Sequence, residues 1–258
     1  MSITLTEQQK NSPLYKYYEL PIAPVPEEKI ASIMQMEADQ DCVISCNDLN
    51  LLFEADDYAD EYGIFHCPDG GLMLSNVTEM PDVTPEMFDW WFAWHGLDPM
   101  RYIIWDKDDH YYVQTRNPEK ALDSSLSMKE RYWNTVHDVQ EALLDGDDPI
   151  PVVIPFVPPE VIGFDPAKLA AFEGTIVCTP GPVIMIHFLQ QAEKGYKLRT
   201  RFYLGYRSAE HGNVRIPDFP APVELARAML VHNIKEYTHL GKILPELYRE
   251  YRDNFQVE

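Results

Sequence analysis

The chain has 258 residues with 45% hydrophobic and 12% aromatic side chains, enough for a sizeable core and far from a disordered composition. Its 21 basic and 42 acidic residues give a net charge of −21, a field that excludes nucleic acid and anionic membrane surfaces as partners and suits a neutral or cationic small ligand. Four scattered cysteines without a CxxC pair, no apolar signal core and no run of transmembrane length lead us to expect a reduced, cytoplasmic setting.

Residues 1–26 read as loop-rich, with Pro13, Pro21, Pro24 and Pro26 breaking any long element. Pro26 then opens a helical run in which Ile30, Ile33, Met34 and Met36 recur at roughly helical spacing. The acidic stretch Glu54–Glu61 closes a segment, 1–61, that we expect to be an N-terminal arm or helical subdomain. From Gly63 the texture changes to strands. Ile64–Cys67 and Leu72–Val77 flank Pro68-Asp-Gly-Gly71, a hairpin signal. Thr84 before Pro85 caps a helix over 86–95 that carries Trp90, Trp91 and Trp94. Arg101–Trp105 predicts a strand running into a polar turn that ends at His110, and 116–130 predicts polar loop. Thr135, His137, Val139 and Glu141 alternate along one strand face. The prolines of 149–159 allow an extended segment but no central strand. Three antiparallel strands follow over 174–179, 182–190 and 196–207, then a loop holding His211. Val223–Leu240 predicts the closing helix, ended by Gly241, with further helix over 243–252. Antiparallel strands followed by a long C-terminal helix make an α+β chain whose sheet, curved around one helix, encloses a small-ligand cavity.

His232 and Glu236 lie one turn apart on a single face of that last helix. Such a pair either bonds to itself or holds a small cation. A metal needs more ligands, and His66, His95, His110, His137, His187 and Glu141 are the candidates. Spacing alone does not choose among them.

A series of blocks carries more information: Val83–His95 with its Trp-Trp-Phe, Arg101-Tyr102 with Asp109-His110, Thr135–Glu141, Arg199–Gly205, and His232-x-x-x-Glu236. In this order over about 60–250, they resemble the 2,4-diacetylphloroglucinol hydrolase / phloretin hydrolase family. The resemblance implies a Bet v 1/START-like helix-grip catalytic domain over 62–258 and a dimerising N-terminal segment over 1–61. It implies cleavage of a carbon–carbon bond between an acyl group and a phloroglucinol-type ring, or another 1,3-diketone, with a zinc ion or other divalent metal. The implied ligands are His110, Glu141, His232 and Glu236, and the implied catalytic groups are His187, Tyr102 and Glu141. Substrate contacts fall to Tyr102, Tyr203, Trp90, Trp91 and Trp94. The second substrate tyrosine of the family falls at Phe202 or Tyr203, of which Tyr203 keeps the hydroxyl. An asparagine of the family falls at Val113. The implied partners are a small aromatic or cyclic diketone substrate and a second copy of the chain. The other function classes for the same cavity are a polyketide cyclase or isomerase and a non-catalytic small-ligand binder.

Overall fold

A computed structural model describes residues 3–38, 40–42, 44–54, 62–144 and 146–256. The expected acidic stretch over 55–61 lies outside the described residues. The chain forms two compact units, Met1–Val25 with Met80–Pro155 and Val231–Glu258, and Pro26–Glu79 with Phe156–Leu230. It is a mixed α/β protein with antiparallel sheets and a long C-terminal helix. No helix among the described residues is long and apolar enough to cross a membrane.

Along the chain the helices are α1 (Glu7–Lys10), α2 (Tyr15–Tyr18), α3 (Glu27–Met34), α4 (Pro85–Trp94) and α5 (Pro99–Ile103). They continue with α6 (Pro118–Leu122), α7 (Met128–Tyr132), α8 (Pro166–Ala171) and α9 (Val223–Tyr251). The strands are β1 (Gln40–Asp41), β2 (Tyr62–His66), β3 (Leu72–Glu79), β4 (His110–Thr115), β5 (Thr135–Glu141) and β6 (Ile150–Phe156). After them come β7 (Thr175–Cys178), β8 (Val183–Gln191), β9 (Tyr196–Leu204), β10 (Tyr206–Ala209) and β11 (Gly212–Arg215).

The unit containing residues 26–79 and 156–230 is built on a six-stranded sheet in the order β1-β2-β3-β9-β8-β7. Only the β1–β2 pair is parallel. The β2–β3 turn is the expected Asp-Gly turn: Gly70 has φ 88°, and its N–H donates to the Cys67 carbonyl at 2.9 Å. The alternation expected along β9 is present, but both faces are buried. Arg199 is 2% exposed because its guanidinium donates to the Leu52 carbonyl at 2.9 Å and to Gln190 Oε1 at 3.1 Å. The core gathers Ile44, Phe65, Ile176, Ile186, Phe188 and Tyr203. The segment read as a loop around His211 is a hairpin of β10 and β11.

The other unit holds α4, whose residues from Phe88 to Trp94 are all buried. Thr84 Oγ1 accepts from the Met87 N–H, as the sequence predicts. Trp90 and Trp94 stack at 4.7 Å, and Tyr248 meets Trp90 edge-on at 5.4 Å. Each large apolar side chain buried in this way contributes roughly 1.5–3 kcal/mol.

Three expectations fail in this unit. Residues 99–103 form helix α5, not a strand, because Asp98 caps it by accepting from the Met100 N–H at 2.7 Å and Pro99 sits at the first helical position. The predicted loop over 116–130 contains α6 and the start of α7; Ser127 and Glu130 form a reciprocal capping box. Gly241 does not end the last helix. Helix α9 runs to Tyr251 with Pro245 inside it, held by a stripe of Leu240, Ile243, Leu244 and Leu247, all buried. Residues 1–25 belong to this unit too: Tyr17 donates to Glu250 at 2.8 Å, and the Ala23 N–H donates to His239 Nδ1 at 3.1 Å.

Candidate metal centre

β4 and β5 pair antiparallel within the sheet β4-β5-β6, with His110 opposite Glu141. The register shifts between His110 and Tyr112. This bulge restarts the alternation, so His110 faces inward with Val113 and Thr115 although it is three residues from Val113. On β5, strict alternation carries the buried side from Thr135 through His137 and Val139 to Glu141. Two ligand-type side chains therefore meet at the same end of one strand pair. Helix α9 brings His232 and Glu236, one turn apart, to the same place.

The candidate ligand atoms of His110, Glu141 and His232 lie within 4.8 Å of one another. Glu236 lies beside this group of three, with Oε2 3.7 Å from His110 Nε2. All four side chains belong to one compact unit. His110 is completely buried, and His232 and Glu236 are nearly so.

Each side chain is held by a neighbour. The His110 ring packs flat on Tyr102, centroids 3.9 Å apart and planes 1° apart. Its Nδ1–H donates to the Tyr102 carbonyl at 3.2 Å, which leaves the Nε2 lone pair turned toward His232. The Tyr102 hydroxyl donates to Glu141 Oε2. Asn233 donates to Glu236 Oε1 at 3.4 Å. Trp105 stands edge-on to His110 at 5.0 Å, and its indole N–H donates to the Glu236 carbonyl at 3.0 Å. One turn further along α9, His239 is a structural acceptor for Ala23.

The electrostatics suit a cation. Burial, then the Glu141 and Asp106 carboxylates, raises the Glu236 carboxyl well above its ordinary range. Burial, then His232, pushes His110 well down, and burial also lowers His232. Both imidazoles are thus neutral, with their Nε2 atoms 3.3 Å apart. Two ligand atoms on one tetrahedral zinc, at about 2.0–2.1 Å each, stand about 3.3–3.4 Å apart. His232 Nδ1 is buried and has no hydrogen-bond partner among the described residues. Two neutral imidazoles, two clustered carboxylates and this spacing fit a divalent ion.

The remaining predicted residues are placed as follows. His187 lies on β8 in the unit of residues 26–79 and 156–230, buried, with Nδ1 3.0 Å from Thr200 Oγ1 and Phe202 edge-on at 6.0 Å. Burial alone takes its imidazole down to about 3. Tyr203, in the same unit, is fully buried, and its hydroxyl donates to the Ile44 carbonyl at 2.8 Å. Trp94 donates to the Asn254 carbonyl at 2.8 Å. Trp91 stacks on His95 and meets Trp105 edge-on at 5.6 Å, one ring away from His110. From the sequence no role falls to Trp105, Asn233 and Lys235, and Asp109 appears only as the neighbour of His110. The signal for Lys235 was available: position 235 shares the helix face of His232, three residues on.

The family model described as DAPG hydrolase PhiG domain matches residues 44–249. Phloretin hydrolase of Eubacterium ramulus is 33% identical over 267 residues, covering 99% of this chain and 96% of that protein. The 2,4-diacetylphloroglucinol hydrolase of a Pseudomonas sp is 26% identical over 268 residues, covering 94% of this chain and 89% of that protein. The protein of the same name from Pseudomonas protegens is also 26% identical, with 94% and 85% covered. This match along most of its length means that the chain belongs to the DAPG hydrolase family and is an enzyme, a hydrolase.

Proposed function

We propose that this enzyme hydrolyses the carbon–carbon bond between an acyl side chain and a phloroglucinol-type ring, or the equivalent bond of another 1,3-diketone. The reaction is assigned to a divalent-cation site of His110, Glu141, His232 and Glu236, in a domain of Bet v 1/START-like helix-grip type. The names of the relatives, phloretin hydrolase and 2,4-diacetylphloroglucinol hydrolase, support the substrate class. The observation that carries the site is the convergence of His110, Glu141 and His232 within 4.8 Å, with Glu236 beside them.

A divalent ion held there supplies Lewis acidity toward a ketone oxygen and acidifies a water, and zinc suits this mixed donor set without being the sole fit. The chain's own groups do the rest. Glu141 accepts the proton of the attacking water, and the Tyr102 hydroxyl holds that carboxylate in position. Oxygen from water adds to the side-chain carbonyl carbon. The bond to the ring then breaks, its electron pair leaving as a delocalised ring enolate, and a proton returns to the ring carbon. The products are a carboxylic acid and the shortened ring compound. Proton delivery is assigned to His187 or Tyr102. His187 is neutral when buried, so in this role it relays a proton instead of storing one. Tyr102 and the aromatic residues Trp90, Trp91 and Trp94 are assigned to substrate contact and water exclusion. Tyr203 shares that role at the cost of its bond to Ile44. Residues 1–61 are assigned to a homodimer contact.

The test is direct. The purified enzyme is analysed for bound metal, and phloretin and acylphloroglucinols are offered while acid release is followed. One metal per chain and acid release that disappears in His232→Ala and Glu236→Gln is the expected result. A metal-free wild-type enzyme with full activity sinks the metal site. Metal without turnover on any acylated ring sinks the substrate class. Light scattering of the eluted protein reads the oligomeric state, and a monomer removes the dimer assignment.

A further inference from the structure

Three of the four candidate ligands have a hydrogen-bonding neighbour that holds them; His232 has none through its free ring nitrogen. Its Nδ1 is buried, bonded to nothing among the described residues, and turned away from the His110 Nε2 that its own Nε2 faces at 3.3 Å. The carboxylate facing it is Asp109, with Oδ2 3.9 Å from Nδ1. That distance is an electrostatic contact rather than a formed hydrogen bond.

Asp109 is itself held. Lys235 Nζ lies 2.7 Å from the same Oδ2, and the Asp109 backbone carbonyl accepts from the Ala142 N–H at 2.8 Å. The backbone bond ties the turn before His110 to the residue after Glu141. Lys235 leaves α9 between the two helix ligands and also reaches Asp106 at 3.3 Å and Asp108 at 3.6 Å. Asp106, Asp109 and His232 also have ligand-type atoms within 4.8 Å of one another. The Lys235 ammonium already pairs with both of those carboxylates, so this group is not proposed as a second cation site. Of the two buried aspartates, Asp109 is the one that makes an ion-pair contact with His232 Nδ1, at 3.9 Å.

We propose, on the metal reading above, that Asp109 is a positioning residue for the metal site: it accepts the Nδ1–H of His232, fixes the tautomer that leaves Nε2 for the ion, and is itself oriented by Lys235. A carboxylate on the far nitrogen of a metal-bound histidine fixes the ring and raises its basicity. The closure required is under 1 Å at the Nδ1–Oδ2 contact.

The experiment uses the full chain, stripped of metal, with Co2+ and Zn2+ as probes. Dissociation constants are measured by chelator competition, and the visible absorption of the bound Co2+ is recorded. Asp109→Asn is expected to weaken both ions about 10-fold, and Asp109→Ala up to about 100-fold. The Co2+ bands shift in both, because His232 becomes a poorer donor; a residue needed only for packing leaves the spectrum of the bound fraction unchanged. Asp138→Asn, an exposed partner of Arg116, is expected to match wild type. Affinity within twofold of wild type together with an unchanged spectrum in Asp109→Asn overturns the proposal while leaving the metal reading intact. Wild type that binds neither ion sinks the metal reading itself. If the Asp109 variants do not fold, ring-nitrogen NMR of Zn2+-loaded wild type decides. Protonated Nδ1 and metal-bound Nε2 on His232 are expected, and the reverse tautomer overturns the proposal.

Discussion

Replacing His187 by Asn changes how stability depends on pH, by an amount that follows from burial. In the native protein the imidazole is 2% exposed, has Phe202 against its face and is held down to about 3 by desolvation. In the unfolded chain it titrates near 6.5. A base with a depressed native pKa contributes its full stability above pH 6.5 and loses it as the pH falls toward 3. Between pH 7 and pH 5 the unfolded chain gains about 0.7 of a proton at this site, and the native protein gains almost none. At 1.36 kcal/mol per pH unit below 6.5, wild type loses about 2 kcal/mol here that His187→Asn does not lose. Other groups titrate as well; Asp106, raised to about 7, is stabilising as the pH falls. These contributions cancel in the difference between the two proteins. Asparagine can keep the bond to Thr200, so the variant is expected to fold. The assay is urea unfolding of both proteins at pH 7, 6 and 5. Curves that stay parallel within about 0.5 kcal/mol show that His187 takes a proton in the native state near neutrality, which refutes the burial argument and turns the neutral relay into a standing acid.

Removing metal by chelation is expected to lower the melting temperature: an ion at a hundred times its dissociation constant adds about 2.7 kcal/mol, roughly 5–10 °C for a chain of this size, read by calorimetry with and without added Zn2+. Tyr102→Phe keeps the stack on His110 but removes the donor to Glu141. It is expected to cost about 1.5–3 kcal/mol, measured as weakened Co2+ binding together with reduced acid release. Gly96→Ala places a Cβ 2.4 Å from Cε1 of the buried His137 ring. An overpacking cost of about 1–3 kcal/mol in urea unfolding is expected, and an unchanged midpoint refutes it.

Parts of this were legible in the sequence for definite reasons. Thr84-Pro85 and Asp69-Gly70 act locally, and they gave helix α4 and the β2–β3 hairpin. Helix α5 was missed because Tyr-Ile-Ile-Trp has the composition of a buried strand; the Asp98-Pro99 start signal outweighs it. Gly241 reads as a stop, yet α9 continues through it and through Pro245. Pro245 lacks the N–H that would reach the Gly241 carbonyl and its ring crowds that carbonyl, but the buried leucines hold the helix on both sides of the gap. At the site, the one-turn spacing of His232 and Glu236 was readable from period alone. The pairing of His110 with Glu141 was not, because it depends on a bulge that a single sequence does not announce. Asp109 and Lys235 were hidden for a similar reason. A turn written Asp-Lys-Asp-Asp looks solvated until the fold buries Asp106 and Asp109 under a lysine from another element.

The division of the site between a strand pair and a distant helix has a consequence for the order of assembly. His110 and Glu141 leave the ribosome early, whereas His232 and Glu236 follow only after residues 142–231, which include most of the second compact unit. One imidazole and one carboxylate make a poor trap for an ion. On the metal assignment proposed above, the strand pair alone would not hold the ion, and the ion would bind only chains whose last helix has already docked. Metal loading would on that assignment report completed folding, and a chain stalled before α9 would be one that metal cannot rescue.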